Sequence, residues 1–251
     1  MFLQKLKDML DDAVLKYETP SFIEKDPISI PHMFNKKEDI EISAFLTSII
    51  SFGRRDGILK KARILMELLQ NEPYNFILNS SSKEMEGIKR FYYRMLTGDD
   101  FFSIILAIKK VYKEGGMERF FAPQYLGESL ILRIGRFYSF IRSLLPKTCH
   151  AHISSIDRGS AGKRSNMFLR WMVRSSSRGV DFGLWHAIDA SELFLPLDVH
   201  VGNVARALEL TKRRQNDAKT VIEITNILRS MCPKDPIKYD FALFSIDIKD
   251  R

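Results

Sequence analysis

The chain is predicted to be an all-α protein, and three observations carry that expectation. Apolar residues recur at helical spacing in almost every segment, as in Ile42, Phe45, Leu46, Ile49 and Ile50, or Val201, Val204, Ala205 and Leu208. Alternating strand-like runs bounded by turn residues are scarce. Turn-forming residues fall between the periodic segments rather than within them: Pro20, the 27–31 stretch, Gly115-Gly116, Pro146, Ser175-Ser176-Ser177 and the 233–236 turn.

Taken in order, the spacing predicts helices over about 2–17, 38–52, 56–70, 83–90, 100–113, 126–145, 162–175, 199–210, 217–231 and 236–246. The connections at 18–37 and 146–161 are long for a compact domain, so they are expected to be functional or mobile. No internal repeat or low-complexity tract interrupts the pattern. With 251 residues, 45% of them hydrophobic, the chain can bury a sizeable core as one large domain or two intimate lobes.

Several function classes are disfavoured. No stretch approaches the roughly 18 to 20 consecutive apolar residues of a membrane span, and the opening segment mixes charges into its apolar positions, unlike a signal peptide. A cytoplasmic location without a membrane partner is the expectation. Cys149 and Cys232 are the only cysteines, and they lack the clustered spacing of a zinc or iron–sulfur site. Both read as reduced thiols, and neither a metal nor a cofactor is expected.

The net charge is +8. Residues 133–178 contain ten bases, among them Arg133, Arg142, Lys163, Arg170 and Arg174, against the single acid Asp157. That segment carries +9, and the remainder, with 29 bases and 30 acids, is nearly neutral. Such a concentration favours a polyanionic partner. It also reads as a solvated basic face.

Three constellations could carry chemistry. In the first, residues 159–166 hold Gly159, Gly162, Lys163, Arg164 and Ser165 directly before a helical segment. Two small-residue positions allow a tight hairpin, and the unpaired N–H groups opening the helix can bind a phosphate. Lys163, Asn166, Arg170 and Arg174 follow at helical spacing, which places them on one face and Phe168, Trp171 and Met172 on another. An amphipathic helix with a solvated basic side has the same pattern.

In the second, Asp198 stands where an N-cap belongs, ahead of the helix that begins near Val199. Capping alone accounts for its position. A metal role for Asp198 and His200 is discounted, since no further ligand appears at matching spacing. The third is the junction Ser51-Phe52-Gly53-Arg54-Arg55-Asp56-Gly57. Its arginines can reach a phosphate or stack on a base, and an ordinary polar turn is the alternative.

In this order and on helices, the three pieces resemble the helix-hairpin-helix DNA glycosylase superfamily, the endonuclease-III-like base-excision enzymes. Residues 41–62 resemble the family's early helix pair, whose connecting loop inserts into DNA. Gly159 to Asn166 resemble its hairpin, and the segment from Leu197 through Arg206 resembles its aspartate-bearing helix start. More closely, residues 163–174, 180–185, 196–201 and 235–244 are similar to an uncharacterised family of bacterial conserved hypothetical proteins distantly related to the glycosylases. The likeness covers about residues 38–246. It departs in three places. Gly53 stands where an amide side chain is usual, the Schiff-base lysine position aligns with Arg164 rather than Lys163, and the segment at 175–196 is longer than usual. The four-cysteine iron–sulfur loop of some members is absent.

The resemblance implies a single two-lobed helical domain with a cleft between the lobes and damaged double-stranded DNA as partner. It implies a monofunctional glycosylase hydrolysing the base–sugar bond with Asp198, with Lys163 as nucleophile only if the enzyme is bifunctional. DNA contacts are expected from Arg54, Arg55, Gly159, Gly162, Lys163, Arg164, Ser165, Arg170 and Arg174. His200, Tyr239 and Asp240 are candidates for a base pocket. The rival reading is a non-catalytic module for DNA or structured RNA, in which Asp198 is only a cap.

Overall fold

The structure is a computed structural model that describes residues 2–246. Among the described residues there is no strand, only isolated bridges pairing Tyr93 with Leu96 and Ser160 with Asp217, so the all-α expectation holds. In chain order the α-helices are α1 (Phe2–Tyr17), α2 (Lys37–Ile50), α3 (Arg55–Leu68), α4 (Pro73–Asn79), α5 (Ser82–Glu86), α6 (Gly98–Lys113), α7 (Leu130–Ser143), α8 (Lys163–Val173), α9 (Val199–Ala207), α10 (Ala218–Met231) and α11 (Tyr239–Ser245). No helix among them is long and apolar enough to cross a membrane.

Local chemistry accounts for the boundaries. Thr97 opens α6 with a capping box: its hydroxyl accepts the Asp100 N–H, and the Asp100 carboxylate accepts the Thr97 N–H in return. Ser129, Asp198 and Asp217 each accept one backbone N–H as the N-caps of α7, α9 and α10. Helix α4 had no counterpart among the expected elements. It is short, and Pro73 in its first turn looks in sequence like the end of the preceding segment.

The two long connections are built rather than open. Short 3-10 turns at Pro27–Ser29 and Pro31–Met33 bury Pro27, Ile28, Ile30 and Pro31, and the Asp26 carboxylate accepts the Ile28 N–H at 3.1 Å. Prolines favour this conformation because the ring fixes φ near −65°. Turns at Lys147–His152 and Ile156–Arg158 likewise bury Cys149, Ile153 and Ile156.

The chain divides into two compact units, Met1–Glu24 together with Ser155–Arg251, and Lys25–Ser154. In the first, α1 packs on α11 and buries Leu6, Leu10 and Val14, and Phe22 meets Phe241 edge-on with ring centroids 5.0 Å apart. In the second, Phe45 of α2 meets Phe137 of α7 edge-on at 5.6 Å, and Phe91 meets Phe101 of α6 at 4.5 Å. Cys149 and Cys232 are both free thiols.

Candidate functional site

The site in the first unit begins with the hairpin. Gly159 and Gly162 have φ of 82° and 59°, the left-handed region that residues with a Cβ avoid. Ser160 pairs with Asp217 across a single bridge, and the Ala218 N–H donates to the Gly159 carbonyl at 3.1 Å, so the hairpin is pinned to the start of α10. Gly162 is the N-cap of α8 and has no side chain with which to cap it. A helix start left in this way presents N–H groups and the positive end of the dipole. Asn166, which is buried, donates from Nδ2 to the Ala161 carbonyl at 3.2 Å and to the Leu195 carbonyl at 3.3 Å. One amide thereby fastens the hairpin to the segment that leads into Asp198.

That fastening brings two sequence-predicted residues together. Asp198 accepts the Val201 N–H through Oδ1 at 2.9 Å, as the cap of α9, while its Oδ2 lies 3.0 Å from Lys163 Nζ. The side chains of Lys163 and Asp198 are 34% and 22% exposed, so the pair is reachable from solvent. Asn216 donates to the Asp198 carbonyl at 3.0 Å and holds the cap from behind. Gly202 permits this approach, since a Cβ there would stand 2.6 Å from Asn216 Oδ1. An ammonium and a carboxylate at the starts of adjoining helices can stabilise an oxocarbenium-like sugar, orient water and exchange a proton.

The arginine face expected along α8 is a correction. Arg170 and Arg174 are 4% and 3% exposed and face carboxylates rather than solvent. Arg170 bonds to Asp240 and lies 3.3 Å from Asp181. Arg174 reaches Glu18 at 2.8 Å, Asp181 at 2.6 Å and Asp235 at 2.9 Å. Burial alone would lower the pKa of Arg174, but the Asp181, Asp235 and Glu18 carboxylates outweigh it and raise the value. A guanidinium buried and forked between carboxylates is not presented to a phosphate.

In the second unit Arg133 donates to the Phe121 carbonyl and Arg142 to the Ile153 carbonyl, both buried, while Arg136 pairs with Glu128 at 3.1 Å. Four of the ten bases counted along the sequence are therefore buried inside the fold.

Other expected residues sort differently. Ser165 is buried, and its hydroxyl donates to the Gly162 carbonyl at 2.8 Å, so it braces the hairpin instead of meeting a phosphate. Arg164 is half-buried and Gly159 is exposed. His200, Tyr239 and Asp240 do not form one pocket. His200 is exposed with Nε2 3.0 Å from the Phe244 carbonyl, whereas Tyr239 and Asp240 are interior residues. Burial pushes the Asp240 carboxyl up to about 6, with Arg170 opposing the shift. The long segment at 175–196 finishes α8: the Phe182 N–H donates to the Trp171 carbonyl, those of Leu184 and Trp185 donate to Met172, and Trp185 packs edge-on against Phe168 at 5.3 Å.

At the α2–α3 junction in the second unit, Arg54 and Arg55 are exposed as expected. Gly53 has φ 100°, a conformation that residues with a Cβ avoid, and the flexible end of the Arg94 side chain lies against it. Arg94 was not among the expected contacts. Its signal was the run Phe91-Tyr92-Tyr93-Arg94, aromatic residues ending in a base, which breaks the helical period.

No curated protein and no solved structure matches the chain. A model of the family described as "Protein of unknown function (DUF2400)" does match, over residues 26–249, and the chain belongs to that family.

Proposed function

We propose that this chain binds DNA and breaks the N-glycosidic bond of a damaged base, with Asp198 and Lys163 as the reacting pair. What carries the reading is the 3.0 Å approach of Lys163 Nζ to Asp198 Oδ2 beside a glycine hairpin whose helix start has no side-chain cap. The carboxylate stabilises positive charge developing on the sugar and orients the attacking water. The ammonium offsets the negative charge of a neighbouring phosphate. When Lys163 passes a proton to Asp198, the free amine can attack the anomeric carbon as the C1′–N bond breaks and the base leaves with the proton from Asp198; the carboxylate then takes a second proton from the amine and gives it to the ring oxygen as the C1′–O4′ bond opens, which leaves a protonated imine. The lysine singled out is Lys163, one position before the residue that aligns with the superfamily's nucleophile. The target base leaves the stack at a cost of a few kcal/mol, drawn from phosphate contacts.

The test is a panel of duplexes carrying oxidised, deaminated, alkylated and abasic lesions, with borohydride present in a parallel arm. Cleavage that fails in Asp198→Asn supports the reading. An adduct that forms with wild type and not with Lys163→Ala assigns the bifunctional route, and cleavage without an adduct assigns hydrolysis. No product and no adduct on any lesion would overturn catalysis. The second reading, a non-catalytic module for DNA or structured RNA, is favoured by one observation: both oxygens of Asp198 are already engaged, by the Val201 N–H and by Lys163.

A further inference from the structure

We infer that a cavity between α1, the turn after α8 and the turn before α11 binds a small zwitterion, a free amino acid or a dipeptide. Arg178 holds its carboxylate, Glu18 and Asp235 receive its ammonium, and Leu15 meets an apolar side chain. The site shares no residue with the Lys163–Asp198 pair and does not depend on the glycosylase reading.

The cavity measures about 410 Å³, and all of its lining residues belong to the first unit. That is room for a metabolite. Its walls balance in charge: Asp11, Glu18 and Asp235 stand against Arg174, Arg178 and Lys238. Three carboxylates repel a dianion such as phosphate, whereas a ligand carrying both signs finds a partner for each.

The charges are not equally engaged. Arg174 is taken up by Glu18, Asp181 and Asp235, and Lys238 Nζ lies 2.6 Å from Asp11. Arg178 is different. Its ion-pair contact among the described residues is Glu18 Oε2, 3.6 Å from Nε and too far for a hydrogen bond. That Nε is closed to solvent and makes no hydrogen bond among the described residues. Glu18 Oε1 is likewise closed and accepts no hydrogen bond, its 2.8 Å contact with Arg174 being an ion pair alone. A buried donor and a buried acceptor left in this state are costly, and a ligand that satisfies both removes the cost. The guanidinium fork suits a carboxylate, which takes two parallel N–H groups.

The rest of the wall supports the same ligand. Asp235, whose side chain is 32% exposed, gives an ammonium a second acceptor at the rim. Leu15 is 62% exposed on α1 and offers an apolar surface beside these charges. The turn that carries Arg178 is firmly built. Ser177 N–H donates to Ser175 Oγ at 3.2 Å, and Gly179, at φ 75°, closes the turn with its N–H on the Ser176 carbonyl at 2.8 Å.

The experiment is calorimetric titration of the full chain with L-leucine and with L-leucylglycine. Two analogues of leucine each lack one charge: isocaproate has no ammonium, and isoamylamine has no carboxylate. Both should bind about tenfold or more weakly than leucine. The ammonium is tested from the ligand's side, because Glu18→Gln would also disturb Arg174. Arg178→Gln, at a half-exposed position, should melt as wild type does and weaken leucine by about tenfold or more. Leu15→Asn should weaken leucine about threefold and leave glycine unchanged, a split that general destabilisation would not produce. Heat from neither L-leucine nor L-leucylglycine, isocaproate binding as tightly as leucine, displacement by inorganic phosphate, or unchanged affinity in Arg178→Gln would each overturn the inference. Lesion cleavage bears on the Lys163–Asp198 pair alone.

Discussion

Replacing Arg174 with methionine separates an interior role from a surface one. The guanidinium sits 2.8 Å from Glu18, 2.6 Å from Asp181 and 2.9 Å from Asp235, and it is almost wholly buried. Methionine fills similar volume but leaves three carboxylates facing one another with their shared cation gone. Removing one partner of a buried ion pair costs about 3–5 kcal/mol, because the remaining charges stay desolvated. At about 2–4 °C per kcal/mol for a chain of this size, the midpoint of the transition that unfolds the first unit should fall by roughly 6–20 °C. Circular dichroism during thermal and urea unfolding reads this directly.

A variant that melts within about 1 kcal/mol of wild type and instead loses oligonucleotide affinity would refute the reasoning, since an interior ion pair cannot be removed so cheaply.

Two further outcomes follow from the same unit. Asp240, raised to about 6 by burial, should cost stability on the order of 2 kcal/mol as pH rises from about 4 to 6, because the folded state holds its proton more tightly than the unfolded one; Asp240→Asn should lack that slope in melts across this range. Gly162→Ala and Gly159→Ala should differ in calorimetry: at Gly162 a Cβ would stand 3.1 Å from the Ile156 amide nitrogen as well as adopting φ 59°, costing about 2–3 kcal/mol, whereas at Gly159 nothing lies within 4 Å and only the conformational cost of about 1 kcal/mol applies. Equal losses at the two positions would contradict the close packing of the hairpin.

The helices were legible because burial repeats with the helical period. Leu6, Leu10 and Val14 line α1, and Ile224 and Leu228 line α10, at four-residue spacing that survives in the sequence. Helix α4 and the proline-rich 3-10 turns were not, because their order comes from tertiary packing rather than from a repeat. Gly162, Lys163 and Asp198 were each legible from local chemistry. Their convergence was not, since it depends on Asn166 bridging to Leu195, 29 positions away. The charge count misled for a related reason. The carboxylates that neutralise Arg170 and Arg174 are Glu18, Asp181, Asp235 and Asp240, all outside the basic window, and a linear tally carries no partners.

The division of the chain has a consequence for its synthesis. Residues 25–154 form a contiguous unit of 130 residues that can close once its last residue is free of the ribosome. The other unit has its opening segment made first and its remainder made last. At about 5–20 residues per second, the stripe on α1 waits on the order of ten seconds before α11 arrives to cover it. During that interval Leu6, Leu10 and Val14 have no native surface to meet, so a nascent chain stalled before residue 239 would expose a greasy amphipathic helix to chaperones or to its neighbours.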